Sequence, residues 1–254
     1  MSTLRVSIQN NFPDVAERLR LLGRQAPFVA AVSLTRSVKD GQAAIKEETA
    51  RAFDRPTKYA LNSTFVRPAT KTRLEARVWI KDNVGSGTPA ERFLLPEIDG
   101  GMRGQKGMER LLQRSGLMKT GWYAVPAAGA QLDANGNVKR AQITQILSQL
   151  KLQRSAGFES RATGSMRSNR TIARQGITYF AVATKHRGLK PGIYLKRRFA
   201  HGTAVKPVFI FVPTLLYRPR LRFYQVGDRT IRARFPVNFD AEWTKAVTQA
   251  HLRR

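Results

Sequence analysis

Apolar side chains recur along this chain at two spacings, one helical and one alternating, and the boundaries between them outline the elements. Leu4, Val6 and Ile8 alternate with polar neighbours and predict a short strand. Asn11 and Pro13 then open a helix with Val15, Leu19 and Leu22 on its apolar face, closed by Gly23. From Pro27 to about Phe53 the residues Phe28, Ala31, Val32, Leu34, Val38, Ile45 and Ala52 fall at helical spacing, which predicts one long helix. Gly41 is its weak point, costing about 1 kcal/mol against alanine, and Asp54-Arg55-Pro56 stops it. Thr64 to Val66 is expected to extend. Arg73 to Lys81 then alternates cleanly, with Leu74, Ala76, Val78 and Ile80 on one side, as a half-buried strand does.

The centre of the chain, Pro96 to Leu152, is punctuated at every step. A glycine-rich loop, Gly100 to Gly107, leads into a short helix from about Gly107 to Arg114, with Met108, Leu111 and Leu112 on one face. Gly116 stands where a helix end favours a left-handed residue. Trp122 to Val125 reads as a brief extended segment stopped by Pro126. Asp133-Ala134-Asn135-Gly136-Asn137 is a turn signal. Asn137 is placed to cap a helix from Val138 to Leu150, with Ile143, Ile146, Leu147 and Leu150 apolar.

After Leu152 the apolar pattern lapses. Arg154 to Gln175, rich in Ser, Arg, Gly and Thr, is expected to be a long mobile basic loop. Strands are predicted at Tyr179–Thr184, Gly192–Arg197 and Pro207–Val212, separated by glycine, proline and polar residues as in an antiparallel meander. A helix from about Arg220 to Phe235 should break at Pro236 and be followed by a last helix, Asp240 to Leu252. The resulting expectation is a single elaborated α+β domain over 1–254. Its antiparallel sheet is covered by the long N-terminal helix, with further helices in the centre and at the C-terminus.

Composition sharpens the picture in two ways. The chain has no cysteine, so disulfides, thiolate chemistry and sulfur-ligated zinc are excluded. It carries 45 Lys+Arg against 17 Asp+Glu, a net charge of +28, and such a chain is expected to meet something acidic. No apolar run reaches the length of a membrane span, and Met1 to Gln9 lacks the apolar core of a secretion signal, so a soluble protein made in the cytoplasm is expected.

Candidate chemistry is sparse. The Gly100–Gly107 loop lacks the Gly-Lys-Ser/Thr ending of a phosphate cradle, which favours a structural loop. His186, His201 and His251 have no partner at metal-ligand spacing, and no metal or cofactor is expected. Glu47 and Glu48 are adjacent on the long helix, which predicts a solvated face rather than an acid–base pair. The basic tract is the strongest signal. From 152 to 234 there are 18 Lys or Arg and two acids, Glu159 and Asp228. Lys196, Arg197 and Arg198 form the densest cluster, and Arg218, Arg220 and Arg222 alternate with Pro219, Leu221 and Phe223. These six cations are the candidate contacts to DNA or to an acidic protein partner. No helix-turn-helix, zinc-finger or ribonucleoprotein motif accompanies them, so sequence-specific readout is not expected.

Three stretches carry a resemblance. They are Leu95 to Gly101, Ala124 to Leu150 (AVPAAGAQLDANGNV followed by ITQILSQL), and Phe209 to Phe239. In this order they resemble a family of bacteriophage virion proteins, the minor tail or tail-completion (neck) proteins, similar to the minor tail protein Z group. The resemblance implies an α+β fold and a structural role at or near the head–tail junction. It also implies portal, neck or tail subunits as partners, a homo-oligomeric ring, a place in the virion after synthesis in the host cytoplasm, and no catalytic residues. An enzyme is not expected. The alternative function is a non-specific nucleic-acid-binding protein acting in DNA packaging or condensation.

Overall fold

A computed structural model describes residues 23–84, 87–152 and 176–252, with the side chains of Arg24 and of 249–252 excepted. The predicted N-terminal strand and helix, and the predicted loop Arg154–Gln175, lie outside these residues. The α+β class is as expected: a long N-terminal helix, antiparallel sheets and a long C-terminal helix. The described residues fall into two compact units, those within 23–100 and 217–252, and those within 101–216. The reason is visible in the packing, since each unit has an apolar cluster of its own.

The first unit is built on α1 (Ala26–Ala52), followed by a single-turn helix α2 (Lys58–Leu61), a hairpin of β1 (Thr64–Arg67) and β2 (Arg77–Ile80), and α3 (Glu91–Asp99). After the second unit the chain returns as α6 (Phe223–Leu252). Pro27 sits in the first turn of α1, where the missing N–H costs nothing. The long helix does lie against the β1–β2 hairpin, but its most extensive packing is with α6. Val38, Ile45, Val78, Ile80, Leu94, Leu221, Phe223 and Ile231 fill this core. Val29, Phe235 and Phe239 extend the helix seam beyond it.

The second unit holds a four-stranded antiparallel sheet in the order β4-β7-β6-β5: Tyr123–Pro126, Gly202–Val212, Gly192–Phe199 and Ile177–Val182. Helices α4 (Gly107–Arg114) and α5 (Arg140–Gln149) contribute Leu112 and Ile146, both fully buried, to a core with Tyr179, Ile193, Phe209 and Phe211. Two-residue strands, β3 (Gly101–Met102) and β8 (Leu216–Tyr217), stand where the chain passes between units. The outer edge of β5 is closed by Gln149, whose Oε1 accepts from Tyr179 N at 2.6 Å.

Several elements differ from the sequence reading. Pro236 does not break the last helix; α6 runs through it. Ile231 and Phe235 before it and Phe239 after it are all buried, so packing holds the helix on both sides of the missing hydrogen bond. The strand predicted from Arg73 begins only at Arg77, and Leu74 is exposed. Its partner β1 ends at Arg67, and Thr70 and Arg73 instead exchange backbone hydrogen bonds in a turn. Phe28, expected on the buried face of α1, is half exposed with Lys71 over its ring. Asn137 does not cap α5. Its N–H donates to Asp133 Oδ1 within the turn, and Lys139 takes the cap position.

Candidate nucleic-acid interface

The cations of this protein divide into those that carboxylates hold and those that none does. In the first unit Arg220 grips Glu97 through two hydrogen bonds, at 2.6 and 2.9 Å, and lies over the Phe53 ring. Arg222 grips Glu48 in the same forked way at 2.8 and 3.2 Å. Glu48 is therefore a buried, paired carboxylate rather than part of a solvated face, whereas Glu47 is exposed as expected. The hydrogen bonds from Arg222 hold Glu48 below the usual carboxylate range, against the opposing effect of burial. Arg73 and Arg77 both bond Glu75, which lowers its pKa to about 2. Of the six cations singled out on the sequence, then, Arg220 and Arg222 are already committed within the chain. Only Arg218 of that triad is exposed without a carboxylate among the described residues.

The second unit is different. Between residues 101 and 216 the sequence has 20 Lys or Arg and three acids, Glu109, Asp133 and Glu159. Of the two described acids, Glu109 is buried in an ion pair and Asp133 is exposed in a turn. Glu109 is fully buried and accepts from both guanidinium nitrogens of Arg103, at 2.8 and 2.5 Å, and from the N–H groups of Lys106 and Ala124. Burial pushes its carboxyl up, but these four donors outweigh burial and leave it below its ordinary value. Arg103 belongs to the glycine-rich loop, so that loop is folded inward around an ion pair. Asp133 turns its carboxylate onto the N–H groups of Asn135 and Asn137. Asp133, which is exposed, is thus the single described carboxylate at the surface of this unit.

Lys196, Arg197 and Arg198 lie on β6, all exposed. Strand alternation puts Lys196 and Arg198 on one face and Arg197 and Phe199 on the other. The Arg197 guanidinium stands 5.3 Å from the centre of the Phe199 ring, which is half exposed. Lys206 of β7, opposite Leu195, shares the Arg197 face, and Ala200 and His201 make the turn between the strands. Burial runs out along both strands towards this turn: Ile193, Val208 and Phe209 are in the core, whereas 196–203 are exposed. On the other side of β6, Thr178 and Ile177 of β5 pair with Lys196 and Arg197, and Arg198 N donates to Gly176 O, so the three cations sit on an inner strand of the sheet.

The two triads named on the sequence therefore belong to different units, Lys196 to Arg198 to the second and Arg218 to Arg222 to the first. Sequence reasoning set the basic tract at 152–234, but the acid-poor segment that folds together is 101–216. The signal was available: after Glu109 the next acid is Asp133, and none lies between Glu159 and Asp228. Phe199 and Lys206 were also missed as members of the cluster. Among the described residues no three His, Asp or Glu side chains gather as metal ligands would. His186 and His201 are exposed. No helix among the described residues is long and apolar enough to cross a membrane. No family model, curated protein or solved structure matches this chain.

Proposed function

We propose that this chain is a structural protein of a bacteriophage virion, a tail or neck component that joins the tail to the portal side and helps form the conduit for DNA. One observation carries the reading: the second unit has 20 Lys or Arg against three acids, and of its two described carboxylates one is buried in an ion pair and only Asp133 is exposed. Such a unit repels its own copies at close range unless something acidic lies between or beside them. DNA in a conduit and acidic neighbouring subunits are partners of that kind. The resemblance over 95–101 and 124–150 supports the same reading; the first stretch ends α3 of the first unit, and the second carries the turn and helix of the second unit. In this role mechanism means binding geometry. The apolar cores keep each unit folded, and the basic surface meets the portal, neck or tail subunits and the DNA that passes them.

The same surface also favours a second reading, a non-specific nucleic-acid-binding protein that packages or condenses DNA outside any particle. Location separates the two. Gold-labelled antibody against this chain, applied to purified particles, is expected to mark one site at the tail or neck. Unlabelled particles, with the protein found on free DNA, would favour the second reading.

A further inference from the structure

We infer that the groove between α1 and the turn 68–71 is a docking site for an acidic segment of a partner protein, seated by an apolar side chain against Phe28. The inference rests on the protein-facing part of the proposed function, and it names an element of the first unit that meets the neighbour. Three features lead to it. First, the groove is preformed. Phe28, Val32, Thr35 and Lys39 recur at helical spacing and share one stripe of α1. The facing wall, Pro68 to Lys71, is fixed to that stripe by the Ala69 N–H, which donates to Thr35 Oγ1 at 3.0 Å. Between them lies a volume of about 450 Å³, of the size in which pockets hold a ligand group. Second, its floor is apolar and open. The Phe28 ring is 50% exposed, and Val32, Pro68 and Ala69 continue the lining beside it. An aromatic ring set in a concavity is suited to receive an anchoring side chain. Third, the lining holds Arg36, Lys39 and Lys71 and no acid. Arg36 is held by Glu242, but among the described residues no carboxylate pairs with Lys39 or Lys71. The Lys71 ammonium stands 5.2 Å from the centre of the Phe28 ring. Lys39 stands three helical turns further along α1, about 16 Å away.

A cation near each end with an apolar floor between them matches one kind of occupant. A second copy of this chain would bring a net charge of +28 to a cationic groove. A DNA duplex offers phosphates to the lysines but no side chain to fill the floor. A protein segment with carboxylates on either side of an apolar residue satisfies both. The groove thus adds a short-range apolar contact to the long-range attraction expected of the second unit.

The test uses the full chain and two labelled peptides of about twelve residues, the length of three helical turns. One is glutamate throughout; the other carries leucine at its centre. The parent is expected to bind the leucine-bearing peptide about tenfold more tightly than polyglutamate. That ratio should persist as salt rises and both affinities fall. Phe28→Ala should abolish the preference and leave polyglutamate binding as in the parent, because the basic second unit attracts either peptide. Lys39→Ser/Lys71→Ser should weaken binding of the leucine-bearing peptide several-fold more than Lys46→Ser/Lys58→Ser, which removes the same charge elsewhere in the first unit. A photoreactive phenylalanine analogue at position 28 keeps the ring and should cross-link to the leucine-bearing peptide. Equal affinity of the parent for the two peptides, or a preference that survives Phe28→Ala, would overturn the inference. Cross-links from position 28 to residues 1–22, to a second copy or to duplex DNA in place of the peptide would do so as well. These results bear on the groove alone, because the virion assignment is decided by location in particles.

Discussion

At the scale of single residues, buried charge is the most exacting feature of this chain. Arg103 and Glu109 are both buried, and each satisfies the other. Glu109→Ala would leave a buried guanidinium without its carboxylate and the N–H groups of Lys106 and Ala124 without an acceptor. The loss of one partner from such a pair costs about 3–5 kcal/mol, which urea denaturation of the variant should register. An unchanged midpoint would mean that the loop is not folded around this pair. Acid should act through the same chemistry. Glu48, Glu75 and Glu109 all have folded pKa values below the ordinary 4.5, Glu75 at about 2. Below 4.5 the unfolded chain therefore binds more protons than the folded one. The stability that these groups contribute is complete above that pH and is lost as pH falls towards their folded values. Melting temperature should be flat near neutrality and fall steadily below about pH 4.5. A melting temperature that rises on acidification would contradict the pairing. The pairing of Glu48 was not legible in the sequence, because its partner lies 174 residues away. Adjacent acids on an isolated helix give no sign of it.

At the scale of elements, the pair α1 and α6 shows what sequence could and could not reveal. Both ends of α1 were legible, because Pro27 opens a helix and Asp54-Arg55-Pro56 closes one for local steric reasons. The helix α4, the left-handed Gly116 and the Asp133–Asn137 turn were legible on the same grounds. The purpose of Gly41 was not. By propensity it weakens α1, yet a Cβ built there would stand 2.5 Å from Ile231 Cγ1 of α6, and Gly227 meets Ile45 in return. The glycines let the two helices approach closely. Gly41→Ala gains about 1 kcal/mol of helix propensity and should still be destabilising overall, by about 1–2 kcal/mol, because it overpacks the seam. Adding Ile231→Val should recover part of that loss in a double-mutant cycle. A Gly41→Ala variant more stable than the parent would place the seam elsewhere. The continuity of α6 through Pro236 has the same origin, since contacts two hundred residues away in sequence decide it and local propensity does not.

At the scale of the whole molecule, the two units divide the electrostatic work. The first unit ties many of its arginines to carboxylates, as with Arg77, Arg220 and Arg222, and these pairs serve the fold. The second unit buries Glu109 and leaves Asp133 as its single described surface carboxylate, so its surface cations far outnumber the acids beside them. The net charge was legible from composition, but its division was not, because the units interleave in sequence and a linear tract of 152–234 cuts across both. Association with an acidic partner should therefore follow the second unit and weaken as salt rises. The claim at the centre of this account is that the partner is found in a virion. Quantitative mass spectrometry tests it most directly, on particles purified from cells that produce this chain and treated with nuclease. The account predicts that the chain is retained at a fixed, small number of copies relative to the capsid protein. Its absence from the particles, with the chain recovered instead on nuclease-sensitive DNA in the same lysate, would contradict it.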